Sequence, residues 1–515
     1  MSLGWLRPGG ADLRGAALSP RVEGTTMRHR KRSLGVLLIV VMAIWSAASS
    51  PTSAMADTGP YATVYNSKSE AVGKWGAAYG AEPGSQIQLA ENYAECGNAA
   101  SCTSFPEKPK YPKVVLEPGV FHILTPYGSK HPVGGSKQPL GPWCEGVFAY
   151  AGVTLEGSKS GRTEVGNNVT QSKPCGANPS LGSLSSVIYV GANQENLSVT
   201  GTALKISSLV ILSEAPSESG PRAEYGLFAA NIQGAGLSVS AITENGASQS
   251  GLLIGNEAHP VIGTESSPVQ VTSNVVEDSH NEGIVLEGKW MTVKSNTVTE
   301  TSAHGIATYG PSSEHVEISS NTITSSSWGI SLDGSESASS IGRANSVYSN
   351  TITNTCIGTI LYGQVDADVA GNYVANPSTA WKPTKAGQGC PEFSETIGVA
   401  ILNSCDNGVW SNRLFYVESG VRIFDGGRSP SACGGRTTAN YIGRVLEIGQ
   451  PWPWPVAGNW IEHPNWGFIA SAASWLGDPP SNVSGNEFVG NAVDNYAQGL
   501  WYFEPGATEI TSENT

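Results

Sequence analysis

From about Val269 onward the apolar and polar positions repeat as one phrase. A β-rich alternating stretch ends in Asn, a polar turn follows, and a Gly then opens a second apolar, alternating strand. The clearest copies are VTSNVVEDSHNEGIVLEG, VKSNTVTETSAHGIATYG, ISSNTITSSSWGISLDG and VYSNTITNTCIGTILYG. Their Asn residues are Asn274, Asn296, Asn321, Asn350 and Asn372, at intervals of 22, 25, 29 and 22, with echoes at Asn412, Asn440, Asn459 and Asn486. These intervals are solenoid periods, and the units are rich in Thr, Ser, Val and Ile with no helix-length amphipathic segment. An all-β solenoid is predicted. Each coil must bury its Ile, Val and Leu against the coils above and below, since one coil alone forms no core. The repeated Asn reads as structural: it tolerates left-handed backbone, and amides one rung apart can bond in a ladder.

The NxI turn, the GI strand and the irregular loops resemble the repeats of the pectin-lyase-like superfamily, which includes pectate lyases, polygalacturonases, alginate epimerases and phage tailspikes. Upstream, Lys113-Val-Val-Leu-Glu-Pro-Gly-Val-Phe-His-Ile123 and Gly152-Val-Thr-Leu-Glu-Gly157 resemble first coils of such folds. The resemblance covers roughly residues 110 to 500 and implies a single-stranded right-handed parallel β-helix. It implies no one activity, because this fold hosts many chemistries.

Around the solenoid, other segments are expected. Arg28-His29-Arg30-Lys31-Arg32, the apolar run Leu34 to Ala48 and Ala54-Met55-Ala56 read as a signal peptide over 27–56. Residues 1–26 then read as an extension before the true start at Met27. The expected product is secreted. Residues 57–110 read as an N-terminal cap, with a helix-like stretch from Ser67 to Tyr79, and 111–505 as the β-helix. A Trp-rich end begins near 450, and 506–515 read as a tail. The leader holds seven of 29 Lys and Arg and two of 43 Asp and Glu, leaving 22 against 41, a net charge of −19. That balance argues against nucleic acid or an anionic membrane as partner and favours neutral glycans. Oligomeric state is not legible.

Eight cysteines follow the leader: Cys96, Cys102, Cys144, Cys175, Cys356, Cys390, Cys405 and Cys433. An even count in an oxidising compartment, with no C-x-x-C pair, points to disulfides. Cys405 and Cys433 each lie seven residues before an Asn of the repeat, which predicts one column on adjacent coils and a bond between them. Cys96 and Cys102 are expected to pin the loop after the cap.

The resemblance implies that the strand after the GI turn carries the substrate groove on its outer face. Alternation then turns Ile284 and Leu286 inward and Val285 and Glu287 outward, and the following coils add outward residues. One outward column reads Glu287, Tyr309, Asp333, Tyr362; a second, just before each Gly, reads Glu282, His304, Trp328, with Asp278 and His280 in the adjoining loop. Acids, imidazoles and rings suit a saccharide, since rings stack on sugar faces while carboxylates and histidines move protons. Glu287, Asp333, His304 and Glu282 are the catalytic candidates; Tyr309, Trp328, Tyr362, His280 and Arg422 are the substrate-binding ones. Glu287 and Asp333 stand two rungs, about 9.6 Å, apart, near the spacing of inverting glycosidases.

No enzyme family's signature is intact. The paired-Asp and Arg-Ile-Lys elements of polygalacturonases are missing, and Ala303-His304-Gly305 echoes only their Gly-His-Gly. The Asp-Pro-His-Asp of mannuronan epimerases and the Trp-Ile-Asp-His of pectate lyases are absent. A lyase or epimerase would use His304, Tyr309 or Lys289 as base and Arg422 as a distant neutraliser. No cofactor is expected beyond a weak calcium candidate at Asp278, Glu282 and Glu300. Trp452, Trp454, Trp460, Trp466, Trp475 and Trp501 read mainly as a buried end cap. The reading is therefore a secreted polysaccharide-active hydrolase or lyase, with a non-catalytic glycan binder as its alternative.

Overall fold

The structure is a computed structural model that describes residues 60–76, 83–99, 109–124, 145–150, 152–168, 184–191, 204–214, 222–233, 236–255, 260–309, 313–333, 342–376, 396–425, 437–443, 459–462, 464, 466–474, 483–489, 491–494, 496–503 and 508–512. The expected signal peptide and the segment before it lie outside these residues.

The chain winds as a right-handed parallel β-helix whose coils lay their strands along three faces. The first face carries Val269–Thr272, then Gly288–Lys294, then Glu314–Ser319, paired in parallel with Val271, Val293 and Ile318 in one row. The second face carries Val275–Glu277 and Thr297–Thr299, and the third carries Glu282–Leu286 and His304–Thr308. In Thr322–Asp333 and Thr351–Tyr362 the second and third faces run as one continuous strand. Inside, Val276, Val298, Ile323 and Ile352 stack in one row and Ile284, Ile306 and Ile330 in another, all fully buried. Each such side chain contributes about 2 kcal/mol of apolar burial, available only because the next coil covers it.

Two sequence features acquire a sharper cause. The left-handed residue at the first corner is the one before each Asn: Ser273, Ser295, Ser320 and Ser349 have φ of 57°, 57°, 55° and 56°. The buried Asn itself builds the ladder. Asn296 Nδ2 donates to Asn321 Oδ1 at 2.9 Å and to the Val271 carbonyl, while the Asn321 Oδ1 also takes the Asn296 backbone N–H. The repeated Gly marks a close approach, because a Cβ on Gly305 would stand 2.4 Å from Ile323 and 2.7 Å from the Gly329 carbonyl oxygen. No larger residue fits there.

The later Asn echoes divide between two ladders. Asn372 bonds to Asn412, Asn412 to Asn459 and Asn459 to Asn491. Asn407, Asn440 and Asn486 form a separate ladder at another corner. Asn412 and Asn440 are thus not equivalent, which removes the column argument for a Cys405–Cys433 bond. Cys96, Cys356 and Cys405 are in disulfide-bonded form. Cys102, Cys144, Cys175, Cys390 and Cys433 lie outside the described residues.

The cap also differs from expectation. The described part of the stretch expected to be helical from Ser67 to Tyr79, residues 67–76, is not helical: Ala71–Trp75 forms an antiparallel hairpin with Ala62–Tyr65, turned by Asn66 Oδ1 accepting the Lys68 and Glu70 N–H groups. The helix is Pro83–Cys96. Together they close both open edges of the first coil. Ala62–Tyr65 pairs with Lys113–Leu116. The helix presents Gln88, whose amide exchanges two hydrogen bonds with the N–H and C=O of Phe148, and Glu91, which accepts the Tyr150 N–H. Side chains here stand in for a missing strand and satisfy edge groups that would otherwise be orphaned. At the far end the partly buried Trp501 packs on Phe468 at 4.7 Å. Thr508–Ser512, expected in a tail, is a further strand paired with Val483–Val489.

Candidate functional site

The third face is where the predicted columns meet. Glu282, His304 and Trp328 follow one another on three adjacent rungs, and so do Glu287, Tyr309 and Asp333, with Tyr362 paired to Asp333 on the next. The face between these columns is more closed than alternation alone suggests. Phe148, Tyr189, Phe228, Leu253 and Val285 occupy one outward row, and all are buried. Further along, Ile360, Ala400, Leu402 and Phe424 form a separate apolar cluster with Trp328 and Tyr362 packed against it.

Beside the first of these apolar rows lies a cleft of about 240 Å³. It is lined by Ser185, Glu224, Tyr225, Phe228, Gln249, Ser250, Leu253, Glu282, Val285, Glu287 and Tyr309. At its end the Tyr309 hydroxyl contacts His304 Nδ1 at 2.8 Å and donates to Glu282 Oε1 at 3.2 Å. In the tautomer with the proton on Nδ1, the imidazole donates to the phenol and the phenol to the carboxylate. Glu282 is pinned further by Asn281 Nδ2 at 2.7 Å and by Ser250 Oγ at 2.9 Å. The His304 ring stands edge-on to Trp328, 4.6 Å between centroids. Burial first, then the fields of Glu282 and Asp333, the Glu282 hydrogen bond and the field of Glu287, holds the Tyr309 hydroxyl well above its ordinary pKa. Of the three carboxylates chosen from the sequence, Glu282 takes the phenol's hydrogen bond, while Glu287 and Asp333 stand one rung before and one rung after Tyr309.

Other candidates fall elsewhere. His280 and Asp278 belong to a corner cluster around Arg222, which binds Glu214 at 3.0 Å and Asp278 at 3.5 Å. Partial burial, then Arg222, lowers the His280 pKa, with Glu214 opposing. Lys289 is tied to Glu314 at 2.7 Å on the first face. Arg422 lies over the Phe424 ring at 4.4 Å, five rungs or about 24 Å along the axis from the Glu282 rung. Asp278 and Glu300 take left-handed corners, φ 60° and 56°, whereas Glu282 stands on the third-face strand. Among the described residues no three His, Cys, Asp or Glu are grouped to hold a metal ion, so the calcium candidate is not assembled.

Glu224, Tyr225, Gln249 and Ser250 were missed, because the columns were read only from Val269 onward. The signal was present: SGLLIG and YGLFAA carry the same residue-before-Gly pattern one and two coils upstream. A core carboxyl was missed as well. Glu244 occupies the interior row of Val276, and the missing Cβ atoms of Gly226 and Gly251 leave it room. Burial pushes its pKa up to about 8 against the opposing Ser213 hydrogen bond.

Fold and register together define a right-handed parallel β-helix repeat protein with an acid-lined cleft on its third face. Residues 223–388 match the family described as periplasmic copper-binding protein (NosD). Among solved structures the chain is similar to the A-module of the Azotobacter vinelandii mannuronan C-5 epimerase AlgE4, at 12% identity over 82% of this chain and 95% of that one, TM-score 0.49. It is also similar to a double mutant of the periplasmic alginate epimerase AlgG, at 13% over 88% and 92%, TM-score 0.45. A third is the catalytic domain of a GH87 α-1,3-glucanase in complex with nigerose, at 12% over 78% and 64%, TM-score 0.46. No curated protein matches. The described residues of the matched segment do not fit copper: His304 is committed to Tyr309, His315 stacks on Trp290 at 3.9 Å, and no three His, Cys, Asp or Glu are grouped among them.

Proposed function

We propose that this protein is an extracytoplasmic polysaccharide hydrolase acting on a neutral glycan in the third-face cleft. The reading is carried by one observation: Glu282 and Glu287 on one rung and Asp333 two rungs on stand to either side of Tyr309, whose hydroxyl donates to Glu282 Oε1 at 3.2 Å. Glu287 and Asp333 flank Tyr309 one rung below and one above. Their backbone separation of about 9.6 Å suits an acid and a base on opposite sides of a glycosidic bond. In that mechanism one carboxylic acid protonates the departing glycosidic oxygen while the other carboxylate removes a proton from the attacking water. Glu282 and His304 position Tyr309, and the half-buried Tyr225 offers a ring to the sugar.

A neutral glycan is favoured over a uronate because the described cleft lining carries Glu224, Glu282 and Glu287 with no Lys or Arg to neutralise a sugar carboxylate. The charged, apolar and small-residue leader supports export. No helix among the described residues is long and apolar enough to cross a membrane.

The test is incubation of purified protein with a panel of neutral and uronate polysaccharides, with and without chelator. New reducing ends from a neutral glycan, lost in Glu287→Gln and Asp333→Asn, are the expected result. An unsaturated product absorbing in the ultraviolet would replace hydrolysis by elimination. Binding without any product would leave a glycan binder.

A further inference from the structure

The second face carries a surface that the cleft does not use. On its two outward columns the coils present Thr297 and Thr299, then Thr322 and Thr324, then Thr351 and Thr353. On the next three rungs an aromatic ring enters one of the two positions on each rung. Tyr373 pairs with Arg413, Arg413 with Trp460, and Phe415 stands two residues along from Arg413. The Phe415 ring lies 5.3 Å from Tyr373 and 6.4 Å from Trp460, bridging them into one strip. Tyr373 is 41% exposed and Trp460 47%, so the end-cap role expected for the tryptophans does not hold for Trp460. Large exposed rings collected in one place mark a binding surface.

We propose that this strip is a second glycan-binding face, holding a neutral polysaccharide chain along the solenoid axis; it rests on the polysaccharide reading for its ligand. Tyr373 and Trp460 are two rungs apart, about 9.6 Å, so alternate sugar rings can stack on successive aromatics. Arg413 and the threonine columns offer hydrogen-bond partners to the hydroxyls between them. Charge selects the occupant. Along these columns from Thr297 to Trp460 and Glu462, Arg413 and Glu462 are the only charged residues, on a chain of net charge −14. An uncharged polymer meets no repulsion there, whereas a second copy of this acidic chain does.

Affinity electrophoresis through gels containing a neutral β-glucan, an α-glucan or a mannan tests it, with Tyr373→Ala/Trp460→Ala compared against wild type and Glu287→Gln. The expected result is retardation of wild type and Glu287→Gln in at least one gel, and at least tenfold weaker retention of the double variant with an unchanged melting temperature. If the double variant melts early, Thr322→Ala/Thr351→Ala must weaken retention instead. Retention that survives these changes, no retardation of wild type, or a double variant that alters only self-association on gel filtration overturns the proposal. Retention lost with the rings in a protein that yields no product would sink the hydrolase reading and leave this one standing.

Discussion

The cap and the cleft both set glutamates beside tyrosine rings, and they use them differently. In the cap, Glu91 and Glu95 on the helix and Glu145 on the first third-face strand are buried. Burial raises Glu91 well above the ordinary carboxyl range and pushes Glu95 and Glu145 up to about 7. Glu91 serves as a strand-edge substitute for Tyr150. In the cleft, Glu282 takes hydrogen bonds from Ser250, Asn281 and Tyr309, and Glu287 lines open space. Burial of a carboxyl is therefore no sign of a site by itself. What separates the two regions is an opening and a set of donors that hold the carboxylate in place.

The largest expected effect is on turnover. Glu287→Gln and Asp333→Asn should each lower kcat by about 10² to 10⁴, the range of a positioned general acid or base, with melting temperature unchanged. Full activity in either variant would break the assignment of that residue. The cap variants should do the reverse. A carboxyl raised from 4.5 to about 7 stabilises the fold fully below about pH 4.5, and that contribution is lost as pH rises through about 7. Each such shift corresponds to on the order of 3 kcal/mol. Thermal melts between pH 4 and 9 should thus show wild type losing stability with rising pH, and Glu95→Gln/Glu145→Gln losing much less. A parallel fall in both would show that these carboxyls ionise freely.

Gln88→Ala comes next. It leaves the Phe148 N–H and C=O without their side-chain partner, and urea titration should find about 2 kcal/mol of destabilisation with activity kept. The smallest effect is expected for Tyr309→Phe, which keeps the ring and removes the hydroxyl between His304 and Glu282. A roughly tenfold loss of kcat/KM, about 1.4 kcal/mol, with an altered pH profile would mark a positioning role. An unchanged profile would reduce the residue to packing.

Much of this was legible before any coordinates. The Asn-to-Gly phrase named the coils, and the residues around each Gly placed Glu282, His304 and Trp328 in one column and Glu287, Tyr309 and Asp333 in another. That worked because a parallel β-helix converts sequence periodicity directly into spatial columns. The two Asn ladders were merged because an Asn looks alike at either corner, and only hydrogen bonding tells Asn412 from Asn440. The helix was misplaced because Ser67–Tyr79 has helix-like spacing but gains more from pairing with Ala62–Tyr65.

The sequence by itself determined the periodic quantities: the solenoid, its inward rows of Val and Ile, the Gly column and the columns of the third face. Local pattern suffices for these, since each coil meets mainly its immediate neighbours. Tertiary structure alone decided which columns are open. Val285 and Ile360 are outward by alternation yet buried, while Trp460 is exposed although tryptophan is usually covered. Exposure depends on what the rest of the chain lays over a face, and no repeat records that.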